Sequence, residues 1–251
     1  MAVLRSLGRW LLWLLLAGAA LQLFFLARIA LMAVVDPQST AFQRSEAWRI
    51  AVKSARRDGD WRWRQQWVDG GQISPHLWRA VVASEDAGFF QHRGVEWEAI
   101  QQARQKNERR QELAERRAAQ NPDRPAREAK VVGGSTITQQ LAKNLLLSGE
   151  RTLLRKGQEL VLSLMLELVL DKRRILEIYL NSVEWGEGVF GAEAAAQRYF
   201  NKPASRLTAY EAARLAVMLP SPKFFETRPG SAYLARRAGT IAARMGEVRL
   251  P

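Results

Sequence analysis

The stretch LLRKGQELVLSLMLELVLDKRRILEIYLN, residues 153–181, decides the fold. Between Leu160 and Leu170 only Ser163 and Glu167 interrupt an apolar run that surrounds a helix on nearly every side. A membrane span needs about 20 such residues, so this shorter run predicts a buried central helix. Periodicity alone allows one long helix or two in succession. Acids in these surroundings are costly unless paired. Arg155 and Lys156 precede Glu159 at helical-neighbour spacing, so an ion pair accounts for its charge. A structural ion pair is also the reading for Glu167. Glu159, nearer the polar end, is placed to reach a cleft.

Just upstream lies GGSTITQQLAKN, residues 133–144. Thr136 and Gln139 have the spacing of a capping box, and Gly149 is the expected C-terminal cap. Gly133 and Gly134 lead into a helix N-terminus, which offers free N–H groups and a positive dipole end to an anion. Gln139, Gln140 and Lys143 share a face, and Lys143 is suited to neutralise a phosphate there. Arg151, just past the helix, adds a second cation with fork geometry. The Gly-x4-Gly-Lys spacing of a P-loop is absent. The competing reading is a plain glycine turn before a capped helix.

Further upstream, ASEDAGFFQHRG, residues 83–94, sets two acids beside two phenylalanines. Ser74 as N-cap and Pro75 at the first helical position begin a helix that ends near Glu85. A helix C-terminus is negative, and Phe89 and Phe90 are placed to exclude water. Both effects raise the pKa of Glu85 and suit it to general acid–base work near neutral pH. The plain alternative is a surface glutamate paired with an arginine. Asp86 is expected to hold the turn through backbone, and His92 to be a structural hydrogen-bonder.

The remainder is mostly helical. Residues 190–200 and 207–219 are helices, the second stopped by the prolines of PSPKFF. Residues 36–70 form a connector, helical in its first part. In WRWRQQW, Trp61, Trp63 and Trp67 alternate with arginines, as in a short two-sided strand capping a core. An interfacial tryptophan belt is the alternative. Residues 104–130 carry dense charge of both signs and read as a solvated helix and loop.

From Trp10 to Ala27 no residue is charged, and apolar character resumes after Arg28 as far as Val35. The apolar core of a signal peptide is shorter, so residues 10–35 read as an uncleaved membrane anchor. Arg5 and Arg9 keep residues 1–9 in the cytoplasm and place the body, residues 71–251, outside. The chain has 38 Lys and Arg against 25 Asp and Glu, a net +13 that favours anionic partners. The absence of cysteine excludes disulfides and thiolate metal sites, and two histidines are too few for a histidine metal cluster. Nothing matches a nucleic-acid motif, so charge alone does not make a nucleic-acid binder.

Taken in order, Glu85-Asp86-x-x-Phe89-x-x-His92-x-Gly94, then residues 133–144, then RKGQELVLSLMLE, then ILEIYLN resemble the motifs of the peptidoglycan glycosyltransferase family. The resemblance runs from about residue 72 to 225 and is similar to the monofunctional biosynthetic type, since no Ser-x-x-Lys or Lys-Thr-Gly of a transpeptidase is present. It implies a lysozyme-like helical domain at the outer face of the cytoplasmic (inner) membrane, in the periplasm. There the enzyme would polymerise lipid II onto a growing glycan chain through β-1,4 bonds, with inversion and release of undecaprenyl pyrophosphate. Glu85 matches the catalytic glutamate and Glu159 the second essential one. Lys143 and Arg151 match pyrophosphate-holding cations. Ser135, Thr136, Gln139, Gln140 and Asn181 fall in the substrate-binding motifs. No cofactor is required by the sequence; some relatives use Mg2+ or Mn2+ at the pyrophosphate, but no ligand cluster here calls for one. Cell-wall synthesis proteins are the expected partners. The sequence departs from the family at Ser163, where alanine is common, and in the length of the charged stretch between Gly94 and Gly133. The rival is a lytic lysozyme-like enzyme, which would need neither the pyrophosphate grip nor the anchor.

Overall fold

The computed structural model describes residues 2–57, 62–120, 134–147, 149–150 and 152–250. Its first element is α1 (Ala2–Leu31), of which Arg5–Leu31 is apolar and long enough to cross a membrane, with its most apolar stretch unburied and its end, at Ile29, in the core. The helix stops at Leu31 rather than continuing to Val35, because residues 32–35 close a turn that carries Met32 into the core beside Ile29. Arg174 clamps this exit. Its guanidinium donates to the Met32 carbonyl at 2.8 Å, pairs with Asp36 at 2.6 Å and lies over Trp67.

The connector is built into the body. Thr40 and Gln43 form a reciprocal cap with bonds of 2.8 and 3.0 Å, both side chains buried, and start α2 (Ala41–Arg57), which packs on the helix containing Gln140. The expected tryptophan strand is only two residues long, β1 (Arg64–Gln65), pairing parallel with β3 (Val189–Phe190); β2 (Glu184–Gly186) pairs antiparallel with β3. Trp63 lies on Phe190 at 4.6 Å and Trp67 packs on the core, so these residues cap a core rather than form a belt. Trp61 lies outside the described residues. Gly188 allows the close β1–β3 approach: at φ +71° a Cβ there would stand 2.1 Å from the Arg62 carbonyl oxygen.

The body then runs as α3 (Pro75–Glu85), α4 (Trp97–Gln120), α5 (Ile137–Leu146), α6 (Leu153–Val169), α7 (Lys172–Ser182), α8 (Ala192–Phe200), α9 (Ala209–Met218), α10 (Pro222–Glu226) and α11 (Ala232–Arg244). The opening stretch is therefore two helices, divided where Asp171 caps α7 by accepting from the Arg174 amide at 2.7 Å. It is α7, not α6, that is buried through its apolar length, from Ile175 to Ser182 apart from half-buried Glu177. On α6 only Glu159, Leu162, Ser163 and Leu166 are buried, while Leu153 (93 % exposed), Leu154, Val161, Leu164 and Leu168 (80 %) form an uncovered apolar stripe. The expectation of a buried central helix fails for α6 because the membrane helix, rather than more body, lies beside it. α1 and α6 are joined by reciprocal amide bonds between Gln22 and Gln158, 3.0 and 3.1 Å. Helix α11, which the sequence reading did not foresee, packs against α3 and α9. Helix α4 is largely exposed, with an Arg104–Glu108 pair at 3.1 Å, as a solvated charged helix should be; residues 121–133 lie outside the described residues.

Candidate active site

Two helix ends meet to make the site. Ser74 caps the start of α3, and α3 ends at Glu85 with Asp86 as its C-cap. Asp86 does not hold its own turn. Its Oδ2 accepts from the amide of Ile137, the first residue of α5, at 2.9 Å, and both carboxylate oxygens lie 2.9 and 3.0 Å from His92 Nε2. Nδ1 of His92 accepts from the Gly94 amide at 3.1 Å, which leaves the proton on Nε2 and makes it the donor to Asp86. His92 is thus a structural hydrogen-bonder. Among the described residues Asp86, His92 and Glu96 place potential ligand atoms within 4.8 Å of one another, but both imidazole nitrogens are already engaged, so the group reads as a hydrogen-bonded joint. The anionic cap on α5 also uses the amide that an incoming anion would take.

Glu85 is half-buried on the last turn of α3. Burial pushes its carboxyl above the ordinary carboxylate range; a hydrogen bond from Gln140 pulls it back, and the neighbouring Asp86 charge pushes it up again. Gln140 Nε2 donates to Glu85 Oε2 at 3.1 Å. Phe89 is fully buried with Phe90 edge-on at 5.0 Å and Lys172 over its ring at 4.4 Å. It is a core anchor just beyond the helix end.

Gln140 opens onto a cleft of about 980 Å³. Ser135, Gln139, Gln140 and Lys143 line it from α5 and the turn before it, and Arg155, Lys156 and Glu159 from α6. Glu159 is buried, with Oε2 accepting from Arg155 at 2.7 Å and Oε1 in a short contact with Lys156. Lys156 also reaches Ser135 Oγ at 3.5 Å, joining the two walls. Glu167, as expected, is structural: it pairs with Lys172 at 2.7 Å and accepts from Thr138 at 2.6 Å. The lining is completed by α2, β2 and the start of α10, with Phe42, Arg44, Glu184 and Pro222. Glu184 is pushed up to about 7, chiefly by burial, with Lys223 pulling down and Glu46 pushing up.

Several site expectations change. Thr136 is buried and wholly used: its Oγ1 donates to the Gly94 carbonyl at 2.6 Å and accepts the Gln139 amide, so it builds the cleft's edge instead of facing substrate. Gln139 bonds back to the Thr136 amide at 3.1 Å, completing the capping box. Asn181 is also turned inward, exchanging hydrogen bonds of 3.0 Å with both backbone groups of Val68 and with the Glu177 carbonyl. Gly149 does not cap α5, which ends at Leu146 with extended Leu147 as C-cap because both leucines pack on the core. Gly133 and Arg151 lie outside the described residues. Arg155 and Lys156 also line the cleft, a role not expected from the sequence, where their spacing pointed only to Glu159.

Residues 53–246 match the family model described as Transglycosylase. The chain belongs to the transglycosylase family. It is 52 % identical over 250 residues to a biosynthetic peptidoglycan transglycosylase of Burkholderia orbicola (strain MC0-3), covering 98 % of this chain and 94 % of that protein. A protein of the same description from Burkholderia pseudomallei (strain K96243) is 51 % identical over 251 residues, 98 % of this chain and 90 % of its own. Another, from Burkholderia lata, is 52 % identical over 237 residues, 94 % and 88 %. The family match begins inside α2, beyond the residues of that helix, Phe42 and Arg44 among them, that line the cleft.

Proposed function

We propose that this transglycosylase polymerises peptidoglycan glycan chains from lipid II, with Glu85 as the general base and the α5–α6 cations as the grip on the leaving pyrophosphate. The observation that carries the reading is the hydrogen bond that ties half-buried Glu85 to Gln140, which lines the cleft together with Lys143, Arg155 and Lys156. Glu85 takes the proton from the acceptor sugar's 4-hydroxyl. That oxygen attacks the anomeric carbon of the growing chain, the bond to the pyrophosphate oxygen breaks, and configuration inverts. Charge gathers on the departing phosphates, where fixed cations act on the transition state. Glu159 holds Arg155 and Lys156 in place from beneath. This donor set fits a phosphate directly: Lys143, Arg155 and Lys156 are cations, and both oxygens of Glu159 are engaged by the latter two. The apolar stripe of α6 beside α1 supports a grip at the membrane boundary, where a lipid-linked pyrophosphate would arrive. Arg5 and Arg9 orient α1 with its start in the cytoplasm, which sets the cleft outside the inner membrane.

Incubating the full chain in detergent with labelled lipid II tests this. Polymer ladders with release of the lipid pyrophosphate are expected. Breakdown of preformed glycan without polymer would point to the lytic reading, and no turnover of either would overturn both.

A further inference from the structure

Tyr179 lies at the centre of α7 with its side chain fully buried. A buried phenol must place its O–H proton on an acceptor or lose stability. Here the acceptor is Gln140 Oε1, at 3.0 Å. The other end of the same amide donates to Glu85 Oε2 at 3.1 Å. A free glutamine amide can turn either its oxygen or its nitrogen toward a neighbour. Turned the wrong way, Gln140 would set an oxygen against the Glu85 carboxylate. The phenol removes that freedom, because its donor must meet the oxygen and so the NH2 must meet the glutamate.

We propose that Tyr179 is a positioning residue for the glycosyl transfer, its hydroxyl fixing the Gln140 amide so that Nε2 holds the Glu85 carboxylate ionised and aimed into the cleft. The inference rests on the reading of Glu85 as general base. The surroundings make the bond matter. From its own helix end Glu85 faces Asp86, itself bound to His92 and the α5 N-terminus. Tyr179 faces it from α7, and α5 presents Gln140 with Lys143 on the next turn along the same cleft. Burial and Asp86 both favour the protonated acid, and the hydrogen bonds from Gln140 and Ser84 oppose them. Loss of the phenol would let the amide turn, and the acid would then keep its proton to higher pH.

The test is the pH profile of kcat for wild type, Tyr179→Phe and Gln140→Met in the full chain with lipid II. Tyr179→Phe should move the acid limb upward by about one pH unit, the size expected when a hydrogen bond to a charged group is lost. Its rate should fall roughly tenfold below the limb and return near wild type at high pH. Gln140→Met should shift the limb the same way, and combining the two should add little. A merely structural tyrosine would instead lower the melting temperature and scale the rate equally at every pH; an unmoved limb overturns the proposal. If Tyr179→Phe does not fold, the limb of Gln140→Met decides: unmoved, it overturns the proposal, and shifted, it supports it. The base assignment is checked separately by Glu85→Gln. If that variant polymerises normally, both the base reading and this inference fail; if it is inactive while Tyr179→Phe keeps the wild-type limb, only the inference fails.

Discussion

Glu184→Gln should make the protein more stable at alkaline pH and leave it unchanged in acid. Glu184 is buried beside Lys223, whose Nζ stands 3.3 Å from Oε1 without hydrogen-bond alignment, and Lys223 is shared with Glu46. Burial outweighs this cation and lifts the carboxyl from 4.5 to about 7. Below pH 4.5 the folded and unfolded states both carry the proton, and nothing separates them. Between 4.5 and about 7 the folded state keeps a proton that the unfolded state has released, so stability falls as pH rises through this window. At about 1.36 kcal/mol for each pH unit, the full loss by pH 8 is at most about 3 kcal/mol. Glutamine keeps the shape of the neutral acid and removes the titration. The melting temperature of Glu184→Gln should therefore exceed wild type by up to about 6–12 °C at pH 8, with the gap closing near pH 4.5. Thermal melts in detergent, followed by circular dichroism from pH 4.5 to 8.5, read this directly. A variant less stable than wild type at pH 8 would mean that the Lys223 pair outweighs the burial, and the reasoning would be wrong.

Lys143→Ala should lower turnover at saturating lipid II by at least about tenfold while keeping the melting temperature, since an exposed cation adds little to stability; Lys156→Ala should lower both, because it strips a partner from buried Glu159, and a rise in KM alone would place either cation in ground-state binding. Asn181→Ala should cost about 2–3 kcal/mol through three lost hydrogen bonds, with turnover per folded molecule retained, as kinetics on active-site-titrated enzyme would show. Gly188→Ala should destabilise the β1–β3 contact by more than about 2 kcal/mol, because its Cβ would meet the Arg62 carbonyl at 2.1 Å and no side chain can yield there; denaturant midpoints measure it.

Local signals were legible. The Ser74 cap, the proline start and the end of α3 at Glu85 follow from short-range chemistry, and so does the Thr136–Gln139 capping box. The position of Glu85 at a helix end, and its upward shift, were readable for the same reason. What failed needed partners far along the chain. Leu164 and Leu168 look like core residues in any window, and only the fold shows that they face away from the body. Thr136 and Asn181 are polar residues in motifs, yet their bonds to Gly94 and Val68 turn them inward. The tie from Tyr179 through Gln140 to Glu85 joins three helices and has no sequence period at all.

The most direct measurement is the rate of lipid II polymerisation by purified Glu85→Gln beside its melting temperature. The account predicts a melt no lower than wild type, because the amide preserves shape and removes the titration of a carboxyl raised by burial, and a rate lower by about 10²–10⁴-fold, the usual contribution of a positioned general base. Polymerisation near the wild-type rate by a fully folded Glu85→Gln enzyme would contradict it.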